Sequence, residues 1–303
     1  YILFLPLEIF VLVNFFKEKK YDIIQVNGVP HFKSVIAAKL SNTELIWIIE
    51  DSYSPKLILF IFKLFVKLFN PKIIYLSNNV YKFYLKGLNI NKKNRFKIMS
   101  PTNSKYFQRK NFRNRKIINV CTVSGIIKIK DTETYLKVAI DVLKKHNNLR
   151  FFFAGRGTKS ENGYYKRIMA IYNSLDPKIR KKITFLGMSS NIKNLLEKSD
   201  IFLFTSKSEG GPIAVWEAMS MKLPVVTTRI GGTPEYIENG YSGYLCKVGD
   251  YKQLSNRISN LSKNIYLRKK FGIRSRIVVE QFLDSKIISK KYQKVYESVF
   301  RKL

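Results

Sequence analysis

The 303-residue sequence has little cysteine and little histidine, and each scarcity excludes a class of site. Its two cysteines, Cys121 and Cys246, lie far apart in apolar segments. They predict two buried thiols in a reducing compartment rather than a disulfide framework. The two histidines, His31 and His146, stand at no recognised metal-binding spacing with those cysteines. We therefore predict no metal site.

Long apolar runs and internal repeats are also missing. Residues 1–16 are apolar, but Pro6, Glu8 and Asn14 interrupt them, and a spanning helix needs about 20 apolar residues. The segment also lacks the basic leader and the small-residue cleavage site of a signal peptide. We expect a core helix packed on the N-terminal sheet. The sequence starts at Tyr1, inside this apolar run, which indicates an N-terminally truncated chain.

Acidic residues are the largest deficit. The sequence has 55 Lys+Arg against 21 Asp+Glu, a formal net charge of +34. Such a surplus favours nucleic acid or an anionic membrane as partner, with a diphosphate-bearing substrate as a smaller contributor. A compositional habit of the source organism is the remaining explanation. Because no RNA-binding or helix-turn-helix pattern accompanies the basic residues, we favour a membrane and expect no nucleic acid.

What the sequence does contain is a regular alternation of short apolar runs with helical segments. Apolar residues make up 46% of the sequence, which is enough for two domains of ordinary size. Strands are predicted at 22–27, 45–49, 72–76, 96–99, 117–123, 150–154, 183–186, 201–204 and 223–227. Helices between them give the βα rhythm of parallel sheets. The charged, non-periodic segment 105–116 is interpreted as an interdomain linker.

One predicted helix, Pro55–Phe69, is apolar nearly all round. Lys56, Lys63 and Lys67 lie along one of its faces. The helix is either a core helix with a solvated lysine face or an interfacial helix whose lysines reach toward lipid headgroups. Both alternatives stay open.

The stretch Asp200–Leu245 carries the chemistry. It predicts a strand at Ile201–Phe204, the loop SKSEGG, and a helix that begins with Pro212 as its first residue. A second strand and a second helix follow, with Thr233 as the expected N-cap. Two βα units therefore present helix N-termini at one edge of a parallel sheet, where open α/β sheets bind their ligands.

Two acids bracket the first of these helices. Glu209 precedes it, and Glu217 lies inside it, about one and a half turns from its start. An ionised carboxylate accepts hydrogen bonds from a vicinal diol. The backbone N–H groups of Gly210, Gly211 and Ile213 can bind an anion at the positive end of the helix. This arrangement fits a nucleotide-sugar, which has hydroxyls at both ends and a diphosphate between them.

The frame S-x-x-E-G-x6-E-A-M, followed by P-V-V-x-T-x-x-G-G-x-P-E, resembles the E-x7-E region of the retaining glycosyltransferases of family 4. The resemblance implies an α/β GT-B fold, with two Rossmann-like domains facing across a cleft and the first incomplete in this chain. Residues 1–104 would form the partial acceptor-binding domain, and 117–282 the nucleotide-sugar-binding domain after the linker. Residues 283–303 would form a helix that crosses back to the first domain.

The same resemblance implies roles for individual residues. In the family the first acid sits beside the donor sugar and the second binds the ribose hydroxyls, which assigns these roles to Glu209 and Glu217. Gly187 and Met188 fall where the family's backbone contacts the base. Many members also place a histidine next to an acid after the strand 45–49, whereas this chain has Glu50-Asp51 there.

In the family, an arginine and a lysine five positions later contact the donor diphosphate. Lys130 matches the lysine, but Gly125 replaces the arginine. We therefore expect Lys128 or Arg156 to supply the missing positive charge. The expected catalytic residues are Glu209 and Lys130, and the expected donor-binding residues are Glu217, Gly210, Gly211, Pro212, Ile213, Lys128, Arg156, Gly187 and Met188.

The resemblance implies transfer of a hexose-type sugar from a nucleoside diphosphate sugar to an acceptor hydroxyl, with retention and without a metal or another cofactor. As acceptor we favour a lipid-linked saccharide in surface-polysaccharide assembly. The protein would then be cytoplasmic and peripheral on the inner face of the cytoplasmic membrane. Two alternatives stay open: a GT-B nucleotide-sugar epimerase, and a non-catalytic basic protein that binds membrane or nucleic acid.

Overall fold

The computed structural model describes residues 5–109, 112, 115–189 and 191–300. Its contacts divide the chain into two compact units. The first unit contains the chain up to Ser100, the loop Glu209–Gly211 and the chain from Ile288 onward, and the second contains Pro101–Ser208 and Pro212–Ile287. Each unit has its own apolar core. Of the predicted linker, residues 110, 111, 113 and 114 lie outside the described ranges.

The first unit is a parallel sheet with helices between its strands. Its described elements are α1 (Leu5–Lys19), β1 (Ile23–Asn27), α2 (Phe32–Leu40), β2 (Glu44–Ile49), α3 (Lys56–Phe69), β3 (Lys72–Tyr75), α4 (Asn78–Tyr84) and β4 (Arg95–Lys97). The four described strands lie in the order β1-β2-β3-β4, all parallel. Aromatic rings from a strand and two helices fill the core, with the Trp47 and Phe62 centroids 4.8 Å apart and those of Phe62 and Tyr84 5.3 Å apart.

Helices α1 and α3 both leave apolar side chains exposed. Helix α1 packs on α2 and buries Val13 and Phe16. The prediction of a core helix is wrong for the opposite face of α1, which is exposed. Helix α3 is present as predicted and buries Phe62 and Val66. The exposed apolar residues of the two helices are Leu7, Phe10, Val11 and Phe15 on α1, and Leu57, Phe60, Leu64 and Leu68 on α3.

Among the described residues, no helix combines the length and the apolar character that crossing a bilayer requires.

The second unit is a larger parallel sheet. Its described elements are β5 (Ile118–Val123), α5 (Thr132–Lys145), β6 (Leu149–Ala154), α6 (Asn162–Asn173), α7 (Pro177–Arg180), β7 (Ile183–Gly187), α8 (Ile192–Glu197), β8 (Ile201–Phe204), α9 (Ile213–Ser220), β9 (Val225–Thr228), α10 (Thr233–Tyr236), β10 (Gly243–Cys246), α11 (Tyr251–Lys263) and α12 (Ile265–Val278). The six described strands lie in the order β10-β9-β8-β5-β6-β7. From β5 the chain first adds β6 and β7 on one side. It then returns to the other side of β5 and adds β8, β9 and β10 in the opposite direction.

The final helix, α13 (Ser285–Phe300), follows a π-helical turn at Val279–Leu283. From Ile288 onward it belongs to the first unit. Residues 301–303, which the sequence placed in this helix, lie outside the described ranges.

Three local predictions in the second unit need correction. Pro212 is the N-cap of α9 rather than its first helical residue. Thr233 is the first residue of α10, and its hydroxyl accepts from the Ile230 N–H instead of capping the helix. Strand β10 was not predicted, because Gly243–Cys246 is short and carries no alternation. Both cysteines are buried free thiols, as predicted.

Candidate functional site

The strand order of the second unit creates one place where neighbouring connections diverge. Strand β5 pairs with β6 on one side and with β8 on the other. The connections that leave β5 and β8 lead to opposite halves of the sheet, and open α/β sheets bind ligands at such a reversal. The loop that carries Lys128 and Lys130 follows β5 here, and the loop that leads to Glu209 follows β8.

Backbone hydrogen bonds join the loop after β5 to its neighbours on the β6 side. The Ile126 N–H donates to the Arg156 carbonyl at 2.9 Å, and the Gly155 N–H donates to the Gly187 carbonyl at 2.7 Å. A Cβ atom on Gly155 would lie 1.7 Å from the Ser124 carbonyl oxygen, and its φ is +148°. Gly155 is therefore required by this close backbone approach, which brings three strand ends together.

A cavity of about 560 Å³ opens beside these strand ends. Arg156 and Gly187, both expected at the donor, line it, and so do the apolar side chains of Ile126, Tyr165 and Phe185. Arg156 is exposed, and no ion pair or side-chain hydrogen bond engages its guanidinium within the described ranges. Its backbone lies beside Gly125, since a Cβ at position 125 would be 3.8 Å from the Arg156 carbonyl oxygen. The backbone of Arg156 therefore lies next to the position where the family places its arginine.

Lys128 and Lys130 share one 3-10 turn after β5, and the turn ends at Asp131. We call the segment from Lys128 to Asp131 the lysine turn. Lys128 is exposed and Lys130 is half-buried. Asp131 is buried and adopts a left-handed conformation with φ +52°. Its carboxylate accepts from Thr134 Oγ1 at 2.8 Å and pairs with Lys207 Nζ at 3.6 Å. The turn therefore has a fixed shape that carries two lysines at the strand edge.

Glu217 lies in α9, whose neighbouring side chains Val215, Trp216 and Ala218 are buried. Its own side chain is half-buried, and burial raises the pKa of the Glu217 carboxyl to about 7. In the part of the chain that the structure describes, this carboxylate has no hydrogen-bond or ion-pair partner. A partly desolvated carboxylate in this state gains most from a ligand that donates O–H groups.

The remaining predicted residues divide between the two units. Pro212 is buried and Ile213 is exposed at the start of α9. The contacts of Glu209, Gly210 and Gly211 assign them to the first unit. There Ser52 Oγ donates to the Glu209 carbonyl at 3.2 Å. A Cβ on Gly210 would lie 1.6 Å from a backbone oxygen of the same unit, so this position needs glycine. A Cβ on Gly211 would lie 2.6 Å from Met99 Sδ, a side-chain atom that would have to shift.

Met188 does not share the cavity that Gly187 lines. Its side chain is 73% exposed and borders a second cavity of about 510 Å³, together with Phe152 and Leu186. Phe152 faces away from the core that its neighbours on β6 build, because successive side chains on a strand point to opposite faces. The structure therefore brings together Arg156 and Gly187 and separates the Met188 side chain from them.

Sequence reasoning missed the buried hydroxyls that surround the lysine turn. Thr205, Ser206 and Thr228 are at most 4% exposed, and each donates to a backbone carbonyl of the loops. The available signal was the placement of Ser and Thr at the ends of β8 and β9, where apolar strands give way to polar loops.

These features define a protein of the GT-B fold with a candidate ligand site at the reversal of its second sheet, and the comparisons with known proteins agree with the fold. The chain belongs to the family described as glycosyl transferases group 1, whose model matches residues 103–278, more than half of the sequence. The assignment to family 4 and the N-terminal truncation stay predictions.

Two relatives illustrate the sequence similarity. The chain is 39% identical over 124 residues to the N-acetyl-alpha-D-glucosaminyl L-malate synthase of Bacillus anthracis. The matched segment covers 41% of this chain and 32% of that protein. It is also 34% identical over 119 residues to the N,N'-diacetylbacillosaminyl-diphospho-undecaprenol alpha-1,3-N-acetylgalactosaminyltransferase of Campylobacter jejuni. This second match covers 39% of this chain and 31% of that protein. The matched segments therefore span about a third of each relative.

A solved structure shows the fold. The crystal structure of Anabaena HepE in complex with UDP and glucose matches with a TM-score of 0.83 at 19% identity, over 96% of this chain and 80% of that one. The predicted α/β GT-B fold is confirmed by this match and by the two parallel-sheet units.

Proposed function

We infer that this chain carries the donor site of a retaining glycosyltransferase, which transfers a sugar from a nucleoside diphosphate sugar to an acceptor hydroxyl. The proposal rests mainly on Glu217, a half-buried carboxylate in α9, the helix that follows β8, for which the described part of the chain offers no hydrogen-bond or ion-pair partner. Ribose hydroxyls would donate to it and remove much of the cost of its burial. Family membership supports the same reading.

The positive groups of the site match the charge that the reaction creates. As the bond to the sugar breaks, negative charge grows on the leaving diphosphate, and fixed cations stabilise it. Lys130 holds this role by the family pattern, with Lys128 and Arg156 as the groups that replace the missing arginine. By the same pattern Glu209 orients the sugar, the Gly210 and Gly211 amides bind the diphosphate, and the backbone near Gly187 and Met188 contacts the base.

Donor binding is the direct test. Isothermal titration of the purified chain with UDP, GDP and ADP, and with their glucose conjugates, should find one preferred base. Glu217→Gln keeps the size of the side chain but removes its charge, and should weaken the preferred ligand between tenfold and a hundredfold because two charge-assisted hydrogen bonds weaken.

A matched control is Glu238→Gln, which changes an exposed glutamate of the same unit. Its affinity for the same ligand should equal that of the wild type. If no nucleoside diphosphate binds, or if both variants bind as the wild type does, the donor assignment is wrong.

For the acceptor we favour a lipid-linked saccharide, reached from the inner face of the cytoplasmic membrane. The Campylobacter jejuni relative is named for a diphospho-undecaprenol substrate. The net charge of +34 favours an anionic surface. Helix α3 combines the exposed apolar residues Leu57 and Phe60 with the exposed Lys56 and Lys67, the composition of an interfacial helix.

Flotation with vesicles of phosphatidylglycerol and phosphatidylcholine tests this part. Lys63→Glu plus Lys67→Glu should cut the bound fraction severalfold, because each basic residue near an anionic surface contributes about 1 kcal/mol. Lys269→Glu plus Lys270→Glu makes the same change in charge on exposed lysines of α12 in the second unit. Equal losses in the two variants, or full transfer to a soluble saccharide without lipid, would count against the membrane-bound acceptor.

A further inference from the structure

The lysine turn is attached to the loop after β8 by a continuous set of hydrogen bonds. The Ile129 carbonyl accepts from the Lys207 N–H at 2.8 Å and from Ser206 Oγ at 3.0 Å. Thr205 Oγ1 lies 3.3 Å from the Lys130 carbonyl oxygen and 3.1 Å from the Asp131 carbonyl oxygen. Three consecutive carbonyls of the turn therefore face donors from one neighbouring loop.

A third buried hydroxyl holds that neighbouring loop in turn. Thr228, at the end of β9, donates from Oγ1 to the Ser206 carbonyl at 2.6 Å. Its own carbonyl lies 3.1 Å from Thr233 Oγ1. Thr205 is 4% exposed and Ser206, Thr228 and Thr233 are fully buried, so water cannot replace these bonds without opening the packing.

The shape that these bonds impose is not one that the turn adopts readily. Asp131, which directly follows Lys130, has φ +52°, a left-handed conformation that residues with a Cβ atom adopt at a steric cost. Such a residue persists when its surroundings hold it. If the hydroxyls were removed, the turn would relax, and the backbone that carries Lys130 would move with it.

We propose that Thr205, Ser206 and Thr228 are positioning residues, which hold the lysine turn in the shape that binds the donor diphosphate. This inference rests on the proposed donor site. Neither Thr228 nor Thr233 belongs to the lysine turn, so the effect of Thr228 must pass through Ser206 and then through the turn. The hydroxyls act on the diphosphate through Lys130 and leave the nucleoside contacts unchanged.

The test compares each nucleoside diphosphate with its monophosphate. UDP and UMP, GDP and GMP, and ADP and AMP are titrated into the wild type, Thr205→Val and Thr228→Val, since valine keeps the shape of threonine and removes the hydroxyl. The diphosphate that the wild type prefers should bind about tenfold more weakly to both variants, the loss expected from one or two hydrogen bonds. Binding of the monophosphate should change less than twofold, and Thr228→Ser should restore the wild-type affinity.

A double-mutant cycle separates positioning from general loosening of the fold. In a Lys130→Ala background, Thr228→Val should change the affinity for the diphosphate less than twofold, because the lysine through which it acts is gone. Ser275→Ala is the matched control, since Ser275 is fully buried and donates to one backbone carbonyl in α12. It should leave both affinities unchanged. If Thr228→Val does not fold, Ser206→Ala deletes a single oxygen and tests the same step.

Each contrary outcome is distinct. Equal weakening of monophosphate and diphosphate, or a full tenfold loss in the Lys130→Ala background, would overturn the positioning role while the donor site stands. Wild-type affinity in all the hydroxyl variants would overturn it in the same way. A wild type that binds none of the six nucleotides would overturn the donor site itself, and this inference with it.

Discussion

The two units repeat the same βα rhythm but arrange their strands differently. The described strands of the first unit follow the order of the chain, from β1 to β4, whereas those of the second reverse at β5. Only a reversal makes neighbouring loops diverge and leaves a crevice at the sheet edge. Among the described strands, the second unit alone has one. The position of the candidate site therefore follows from topology before any side chain is considered.

The outer faces of the helices differ as strongly. Helix α3 of the first unit exposes Leu57 and Phe60, whereas α5 of the second unit exposes Lys137, Lys144 and Lys145. Both helices bury the apolar side chains of their inner faces in a core. The buried apolar residues therefore indicate only that each helix packs on a sheet. The outer pattern separates α3, which exposes apolar side chains among its lysines, from α5, which exposes charged side chains.

The largest effect is expected from the two faces of α3. Phe62→Ala should destabilise the first unit by about 3–5 kcal/mol, because Phe62 is fully buried between Trp47 and Tyr84. Phe60→Ala should change stability by less than about 0.5 kcal/mol, because its side chain is 67% exposed. Urea unfolding in a Trp216→Phe background measures this, since Trp47 is then the one tryptophan of the chain and reports on its own unit.

The same two variants test whether the exposed face has a partner. Phe60→Ala should lower recovery with anionic vesicles despite its wild-type stability, because apolar side chains of an interfacial helix insert below the headgroups. If Phe60→Ala were as destabilising as Phe62→Ala, the exposed face of α3 would be a packed face, and the contrast between α3 and α5 would fail.

A smaller effect, of opposite sign, is expected from Glu217 in the second unit. Its pKa in the folded protein is about 7, against an ordinary value of 4.5. As pH rises from 4.5 the unfolded chain releases this proton first, so stability falls until about pH 7 and is level above it. Glu217→Gln removes this loss and should stabilise the ligand-free protein at pH 8 by at most about 3 kcal/mol, with little difference at pH 4.

Thermal unfolding between pH 4 and pH 8, without nucleotide, measures the difference. Glu238→Gln, which changes an exposed glutamate of the same unit, is the matched control. A stabilised Glu217→Gln that also binds nucleotide weakly would show that the carboxylate is kept for its ligand at a cost to the fold. A Glu217→Gln profile parallel to that of the wild type would mean that burial does not perturb this carboxyl.

Much of the fold could be predicted because apolar runs bounded by polar turns report burial directly. The strands β1, β2, β5, β6 and β8 and the helix α3 match their predicted bounds to within one residue at each end. Strand β10 escaped prediction because Gly243–Cys246 is recognisable only beside β9, with which it pairs. Exposure was harder, since the outer face of α1 has the same composition as a buried one.

The site was predictable as a motif and not as an environment. The spacing of Glu209 and Glu217 and the position of Lys130 come from sequence. The raised pKa of the Glu217 carboxyl does not, because it depends on how α9 packs. The hydrogen bonds from Thr205 to the lysine turn join residues 74 and 75 positions apart, and no local pattern encodes such a contact.

The smallest effects on stability are expected from a glycine-to-alanine substitution, made at one position in each unit. Gly163 in α6 and Gly87 after α4 both have open space where a Cβ would stand, but Gly87 has φ +83°. Gly163→Ala should stabilise the second unit by roughly 0.5 kcal/mol, because alanine costs less entropy than glycine in a helix. Gly87→Ala should destabilise the first unit by about 1 kcal/mol, because alanine is strained in the left-handed region. Urea unfolding with Trp47 or Trp216 as the single reporter separates the two units, and a Gly163→Ala effect seen by Trp47 would show that they do not unfold independently.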